Sequence, residues 1–103
     1  MKRLSIVLAA SAALLAAFPA SAQEALAKKY ACFACHAVDK KLVGPAYKDV
    51  AAKYRNDSGA EARLVEKVKK GSQGTWGQVP MPPNSSVPDG DVHSLVKWIL
   101  SLK

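Results

Sequence analysis

Two cysteines and a histidine stand close together early in the chain, in the order Cys32-Phe33-Ala34-Cys35-His36. On a helical turn, residues at i, i+3 and i+4 share a face, so both thiols and the imidazole can approach one ligand from the same side. Cys-x-x-Cys-His is the spacing of covalent c-type haem attachment. The motif therefore predicts one covalent haem c, with Cys32 and Cys35 as attachment residues and His36 as an iron ligand.

The same cysteine pair has other interpretations. A Cys-x-x-Cys redox motif of the thioredoxin sort occurs in a strand-helix-strand setting that this chain lacks, and a zinc site needs further Cys or His ligands, of which only His93 remains. A disulfide between Cys32 and Cys35 would close too small a loop to stabilise a domain much. We therefore prefer haem attachment.

An iron bound by His36 has a second axial position on its opposite face. The candidates for this position are Met81, His93, Met1 and an open site. Met1 leaves with the N-terminal segment described below, and His93 falls about 110° from the centre of the apolar stripe on its helix. Met81 lies among prolines, which can hold a side chain in place at little entropic cost. A lone methionine can also fill a core, but we predict Met81 as the second iron ligand.

The choice of ligands decides between function classes. A thioether favours ferrous iron more than a second imidazole would, and two filled axial positions leave no site for oxygen or substrate. This combination favours a one-electron carrier and no enzymatic activity. The alternatives are a haem peroxidase or gas sensor in which Met81 dissociates, and an electron-entry subunit held in a larger complex. No acid or base flanks Met81, which speaks against catalysis.

Four segments with helical periodicity must position these residues. The first runs from Glu24 to Ala31, directly into the cysteine motif. The second has the apolar face Tyr47, Val50, Ala51 and Tyr54. The third runs from Ala60 to Lys70, capped by Asp57 or Ser58 and stopped by Gly71, and the fourth begins at Pro88 and Asp89. Its apolar stripe consists of Val92, Leu95, Val96, Ile99 and Leu102. The pattern predicts an all-α domain.

The beginning of the chain has the pattern of a secretory signal peptide. Lys2 and Arg3 precede an apolar run from Leu4 to Phe18, and Ala20-Ser21-Ala22 offers a cleavage site. We predict that residues 1–22 are removed and that residues 23–103 form one domain in the periplasm. The run is short for a membrane span and no second one follows, so stable membrane insertion is not expected.

The chain is basic, with 15 Lys and Arg against 8 Asp and Glu and a formal net charge of +7. Nucleic acid is not an expected partner of an exported chain that lacks interleaved basic and aromatic residues. Lysines at positions 28, 29, 40, 41, 48 and 53 flank the motif and the second helix. A positive surface of this kind steers an acidic protein partner into brief encounters.

Several stretches together carry a family resemblance. They are Cys32 to His36, Val43-Gly44-Pro45-Ala46-Tyr47-Lys48-Asp49-Val50, Gly71-Ser72-Gln73-Gly74, Trp76-Gly77 and Pro80-Met81-Pro82-Pro83-Asn84. They resemble the small bacterial class I cytochromes c of the cytochrome c-551 type, and the likeness covers essentially all of residues 23–103. The resemblance implies a cytochrome c fold of about four helices around one haem, with His and Met axial ligands.

The resemblance also implies a biological setting and further site residues. A periplasmic monomer would accept electrons from a membrane cytochrome complex and donate them to nitrite reductase or a terminal oxidase. The Pro45 carbonyl would accept the Nδ1 hydrogen of His36, Asn84 would hydrogen-bond near the Met81 sulfur, and Trp76 would reach a haem propionate. Lys67 could approach a propionate as well. Helix initiation by Pro45 and simple packing of Trp76 are the structural alternatives.

Overall fold

The computed structural model of the protein describes residues 20–103. This range contains four α-helices, α1 (Ala20–Lys29), α2 (Tyr47–Lys53), α3 (Ala60–Lys70) and α4 (Asp89–Ser101). A short 3₁₀ helix, Cys32–Ala34, lies between α1 and α2. The described residues form no strand and only one isolated antiparallel bridge, between Ser72 and Met81. The prediction of an all-α fold is confirmed.

The predicted signal peptide lies almost wholly outside the described residues. Only Ala20, Ser21 and Ala22 fall within them, as the first residues of α1. Cleavage after residue 22 therefore stays a prediction. Within residues 20–103, no helix combines the length and the apolar character needed to cross a membrane.

The first helix differs from its prediction at both ends. At its amino end the helix already includes Ala20, the first described residue, and it ends at Lys29, whereas the periodicity predicted Glu24 to Ala31. The chain leaves the helix because Ala31 adopts a left-handed conformation, with φ 59° and ψ 25°. This conformation is costly for a residue with a side chain, and it separates α1 from the turn that carries the cysteines.

Helix α4 is the element against which α1, α2 and α3 all pack. Its predicted stripe is confirmed: Val92, Leu95, Val96 and Ile99 are at most 9% exposed, and Leu102 is half-buried. Trp98, outside the predicted stripe, is buried as well and widens the apolar face. Since each fully buried side chain of this size stabilises the fold by about 1.5–3 kcal/mol, this face is the main source of cohesion.

The ends of α3 are set by local backbone chemistry. Asp57 Oδ1 accepts a hydrogen bond from the Gly59 backbone N–H at 3.0 Å, and Gly59 directly precedes the first residue of the helix. The predicted Asp57 cap thus closes the turn before α3 rather than its first turn. Gly71 ends the helix with φ 82°, as predicted, because this left-handed region favours glycine.

The segment from Gly71 to Pro88 is irregular but tied down at two places. Ser72 and Met81 exchange both backbone hydrogen bonds, at 3.1 and 2.8 Å, and the Asn84 N–H donates to the Val68 carbonyl at 3.0 Å. Residues 72–81 thus form a closed loop whose base is pinned to the end of α3. The position of Met81 is fixed by this base.

A side-chain hydrogen bond joins the two ends of the domain. The Tyr30 hydroxyl, just after α1, donates to Asp91 Oδ2 in the first turn of α4 at 2.5 Å. This hydrogen bond is the main cause of the raised pKa of Tyr30, followed by burial and by the negative charge of Asp91. The neutral phenol is therefore the form that the folded protein stabilises.

We predict that Tyr30→Phe lowers the free energy of unfolding at pH 7 and that the deficit shrinks in alkali. The hydroxyl contribution is fully present below about pH 10, the ordinary pKa of tyrosine, and is lost as pH rises through the higher pKa of the folded state. Denaturant titrations of the wild type and the Tyr30→Phe protein at pH 7 and pH 11 measure this difference in the free energy of unfolding. Tyr54→Phe, which removes a hydroxyl from the same core without touching Asp91, is the control. A Tyr30→Phe deficit that grows with pH would contradict the prediction.

Candidate functional site

A cleft of about 330 Å³ opens between the cysteine turn and the loop around Met81. Its volume lies in the range of roughly 300–1,000 Å³ that is typical of ligand sites. All seven residues predicted for the site line this one cleft, although they come from distant parts of the chain. They are Cys32, Cys35, His36, Pro45, Trp76, Met81 and Asn84.

The walls of the cleft are largely apolar. Val50 from α2, Leu64 and Val68 from α3, and Leu95 and Ile99 from α4 all contribute side chains. The charged residues of the lining are Lys41 and Lys67, and no carboxylate from residues 20–103 lines it. The cleft therefore suits a large apolar molecule that carries negative groups.

The cysteine turn presents its three chemical groups together. The backbone N–H groups of Cys35 and His36 both donate to the Cys32 carbonyl, at 3.3 and 3.0 Å. These bonds close a tight turn that directs the side chains of Cys32, Cys35 and His36 into the cleft. Both cysteines are free thiols.

The surroundings of the thiols do not favour the other interpretations of the motif. Burial raises the pKa of the Cys32 thiol, whereas the attacking cysteine of a thioredoxin-like site has a lowered pKa. A zinc site is not formed either, because residues 20–103 contain no cluster of three or more His, Cys, Asp or Glu side chains able to share a metal ion. Haem attachment is the interpretation that fits.

The His36 ring is held on its Nδ1 side. Nδ1 lies 2.8 Å from the Pro45 carbonyl oxygen, the contact that the resemblance implied. Since a carbonyl can only accept, Nδ1 carries the proton, and Nε2 keeps the lone pair with which an imidazole binds a metal. The hydrogen bond thus selects the tautomer that an iron ligand requires.

Two contacts of His36 were missed by the sequence analysis. The Tyr47 ring stacks on the imidazole, with ring centroids 4.9 Å apart and ring planes 25° apart. Gly44 lies so close that a Cβ on it would be 2.5 Å from His36 Cε1 and 2.8 Å from Nδ1. In the sequence, Gly44 could have been noticed because it precedes Pro45, the residue predicted to hold His36. Tyr47 was interpreted only as part of the apolar face of α2.

Met81 also lines the cleft, where it is half-buried, and its neighbours hold the loop. The Asn84 side-chain amide donates to the carbonyls of Val68 and Pro82, each at 3.2 Å. The amide thus serves the loop backbone, and its predicted hydrogen bond near the Met81 sulfur stays a prediction.

The rim of the cleft combines aromatic and basic side chains. Trp76 is 41% exposed, and its ring centroid lies 5.5 Å from the Lys53 ammonium. The Lys67 ammonium donates to the Thr75 hydroxyl at 3.0 Å and thereby ties α3 to the same loop. Trp76 and Lys67 therefore both line the cleft, and the hydrogen bond to Thr75 holds Lys67 next to the loop segment that carries Trp76.

The cleft fits a haem in its chemistry. Two thiols and an imidazole line it from the cysteine turn, and a thioether lines it from the loop. Its rim carries Val43 at 56% and Val79 at 66% exposure, apolar surface that a bound group would cover. The predicted flank position of His93 agrees with the structure, where its side chain is 46% exposed between Glu61 and Asp89.

Comparison with known proteins bears on this cleft. The family model described as "Cytochrome c" matches residues 20–103. The chain is 61% identical over 77 residues to cytochrome c-551 of Allochromatium vinosum, covering 75% of this chain and 82% of that protein. It is 58% identical over 80 residues to cytochrome c-551 of Pseudomonas aeruginosa, covering 78% and 76%.

Solved structures agree with these relatives. The crystal structure of wild-type Nitrosomonas europaea cytochrome c552 superposes with a TM-score of 0.76 at 55% sequence identity. The match covers 78% of this chain and 99% of that one. The similarity in sequence and that in fold therefore point to the same group of proteins.

We predict that Gly44→Ala destabilises the protein by about 1–3 kcal/mol, because the new methyl group would collide with the His36 ring. Denaturant unfolding of the purified, exported protein measures the change. Gly90→Ala is the matched control: nothing lies within 4 Å of a Cβ there, and alanine at this helical position should stabilise by up to about 1 kcal/mol. Equal stability of the wild type and the Gly44→Ala protein would contradict the prediction.

Proposed function

The chain belongs to the cytochrome c family, and we propose that its haem is attached through Cys32 and Cys35, with His36 and Met81 as the axial ligands of the iron. As a member of this family, the protein is a small electron carrier with one covalent haem c, and it is not an enzyme. The observation that carries the proposal is that two thiols, one imidazole and one thioether line a single apolar cleft.

His36 is proposed as the ligand on the cysteine side. Its Nδ1 donates to the Pro45 carbonyl at 2.8 Å, which leaves Nε2 free to bind and makes the imidazole a stronger donor. Pro45 also fixes the backbone ahead of α2, so the carbonyl stays in place. Within the turn, the hydrogen bonds to the Cys32 carbonyl hold Cys35 and His36 next to Cys32. The Gly44 N–H, which donates to the Cys35 carbonyl at 2.8 Å, ties the turn to the segment before α2.

Met81 is proposed as the ligand on the loop side. When bound, the haem iron supplies a centre that changes between the ferric and ferrous states by one electron. The paired backbone hydrogen bonds with Ser72 hold Met81 in either state, and the Asn84 amide braces the loop against α3. Because the ligand loop is pinned, a change of oxidation state requires little movement of the chain.

The basic and aromatic rim is proposed to receive the haem propionates. The Trp76 indole N–H can only donate a hydrogen bond, and the Lys67 ammonium carries a positive charge, so both match a carboxylate. Each of them lines the cleft, and no carboxylate of residues 20–103 competes there. Loss of either group should weaken the hold on the propionates without affecting attachment.

We further propose that the carrier works as a periplasmic monomer after removal of residues 1–22. Redox proteins are the partners of this family; here a membrane cytochrome complex is the proposed donor, and nitrite reductase or a terminal oxidase the proposed acceptor. Support comes from the lysines flanking the turn and α2, all of which are exposed: positions 28, 29, 40, 41, 48 and 53. Their positive field would guide an acidic partner to the haem edge.

The first test is mass spectrometry of the protein exported by a bacterium that matures c-type cytochromes. The expected mass is that of residues 23–103 plus one haem that resists extraction with acid and organic solvent. Reduction should be a reversible one-electron process. A polypeptide without added haem would overturn the assignment of the site, whereas haem on an uncleaved chain would overturn only the signal peptide.

The second test is Met81→Ala, which should leave the haem attached but open one coordination position. The ferric near-infrared band that accompanies thioether ligation should vanish, and the ferrous form should bind carbon monoxide rapidly, unlike the wild type. Ser85→Ala is the control, since Ser85 is exposed in the same irregular segment and does not line the cleft. An unchanged near-infrared band in Met81→Ala would rule out Met81 as the ligand.

A further inference from the structure

We infer that Tyr47 is a positioning residue that holds the plane of the His36 imidazole; the inference rests on the proposed role of His36 as an iron ligand. The ring of Tyr47 lies 4.9 Å from that of His36, and the two planes are within 25° of parallel. Tyr47 thus contacts a face of the imidazole. The Pro45 carbonyl and the iron, by contrast, would bind nitrogen atoms at the edge of the ring.

The stacked ring supplies a restraint that the hydrogen bond does not. The bond from Nδ1 to Pro45, at 2.8 Å, fixes one atom of the ring and the direction of its N–H. An imidazole held at one atom can still rock about that bond. A broad aromatic surface against its face opposes this motion, because tilting would open a gap and lose contact over the whole ring.

Tyr47 is itself immobilised by the core. It is 3% exposed and begins α2, and its backbone N–H donates to the Ala37 carbonyl at 2.9 Å. The Tyr47 and Trp98 rings form a T-shaped pair, with centroids 5.8 Å apart and planes at 81°. The centroid of the Phe33 ring lies 6.0 Å from that of Tyr47. Through this packing the rigid α2–α4 core controls the orientation of a side chain on the cysteine turn.

The aromatic ring, and not the hydroxyl group, carries the restraint. The hydroxyl hydrogen-bonds to the Cys32 side chain, whereas the contact with the imidazole is made by the ring. Phenylalanine at position 47 should hold the imidazole as well as tyrosine does.

The orientation of an axial imidazole has a spectroscopic signature. The plane of the ring sets how the iron d orbitals of similar energy split, and the splitting determines both the anisotropy of the ferric electron paramagnetic resonance spectrum and the spread of the haem methyl proton shifts. These observables report the orientation of the axial ligands, of which Tyr47 contacts His36, and not the amount of folded protein. They can therefore separate a positioning role from a purely structural one.

The experiment compares Tyr47→Phe and Tyr47→Leu in the exported holoprotein at low temperature. The phenylalanine protein should give the wild-type g values and methyl shifts. The leucine protein keeps apolar volume but has no ring face, and it should show shifted and broadened signals. Tyr47→Ile is made in parallel, so that an aliphatic replacement is available if the leucine variant does not mature.

Val92→Ala is the matched control for loss of stability. Val92 is fully buried in a second core cluster, with Val65, Val87 and Val96, and is not part of the cluster that contains Tyr47. It should lower the unfolding midpoint and leave the spectra unchanged. Comparison of the aliphatic variants with this control separates ring orientation from destabilisation.

Two results would overturn the inference: wild-type spectra in the aliphatic variants, or a phenylalanine protein altered as much as the leucine protein. Spectral changes in Val92→Ala equal to those in Tyr47→Leu would also overturn it, because they would trace the signature to stability alone. Failure of the proposed function looks different, since a wild-type protein without haem, or without histidine ligation, would be recognised before any variant is compared.

Discussion

The constraint on which the whole structure depends is that the helices cannot fill their own interior. Helix α4 packs against α1, α2 and α3, yet between α3, α4 and the two irregular segments an apolar cleft of about 330 Å³ remains. A chain of this size has too little core to leave such surface in water without cost. A large apolar cofactor that completes the core therefore serves folding and electron transfer together.

The same constraint bears on the two residues proposed as iron ligands, His36 and Met81, which line the same cleft from separate parts of the chain. The cysteine turn follows α1 and the methionine loop follows α3, so the two segments are far apart in the sequence. Both segments are anchored to the helices that pack together around α4. Beside the cysteine turn, the Tyr30 hydroxyl donates to Asp91 on α4. In the methionine loop, the Asn84 amide donates to the Val68 carbonyl on α3. Helix packing, rather than either loop alone, thus brings the two segments to one cleft.

Sequence patterns predicted the helices well wherever one apolar face decided the structure. The stripe of α4, the span Ala60–Lys70 of α3 and its glycine stop all match, because burial and left-handed backbone are local requirements. The predicted end of α1 was wrong because Ala31 adopts a left-handed conformation, which a residue with a side chain does not favour. That conformation is imposed by the turn that follows, and propensity could not indicate it.

The sequence by itself determined the chemistry of the site: the cysteine spacing, the histidine beside it and a methionine among prolines are all features of neighbouring residues. Only the tertiary structure decided how these groups are oriented. The stacking of Tyr47 on His36 and the close approach of Gly44 depend on where α2 lies against the turn. Spacing along a chain fixes which groups can meet, whereas the angle at which they meet is fixed by the packing of whole helices, which no local pattern encodes.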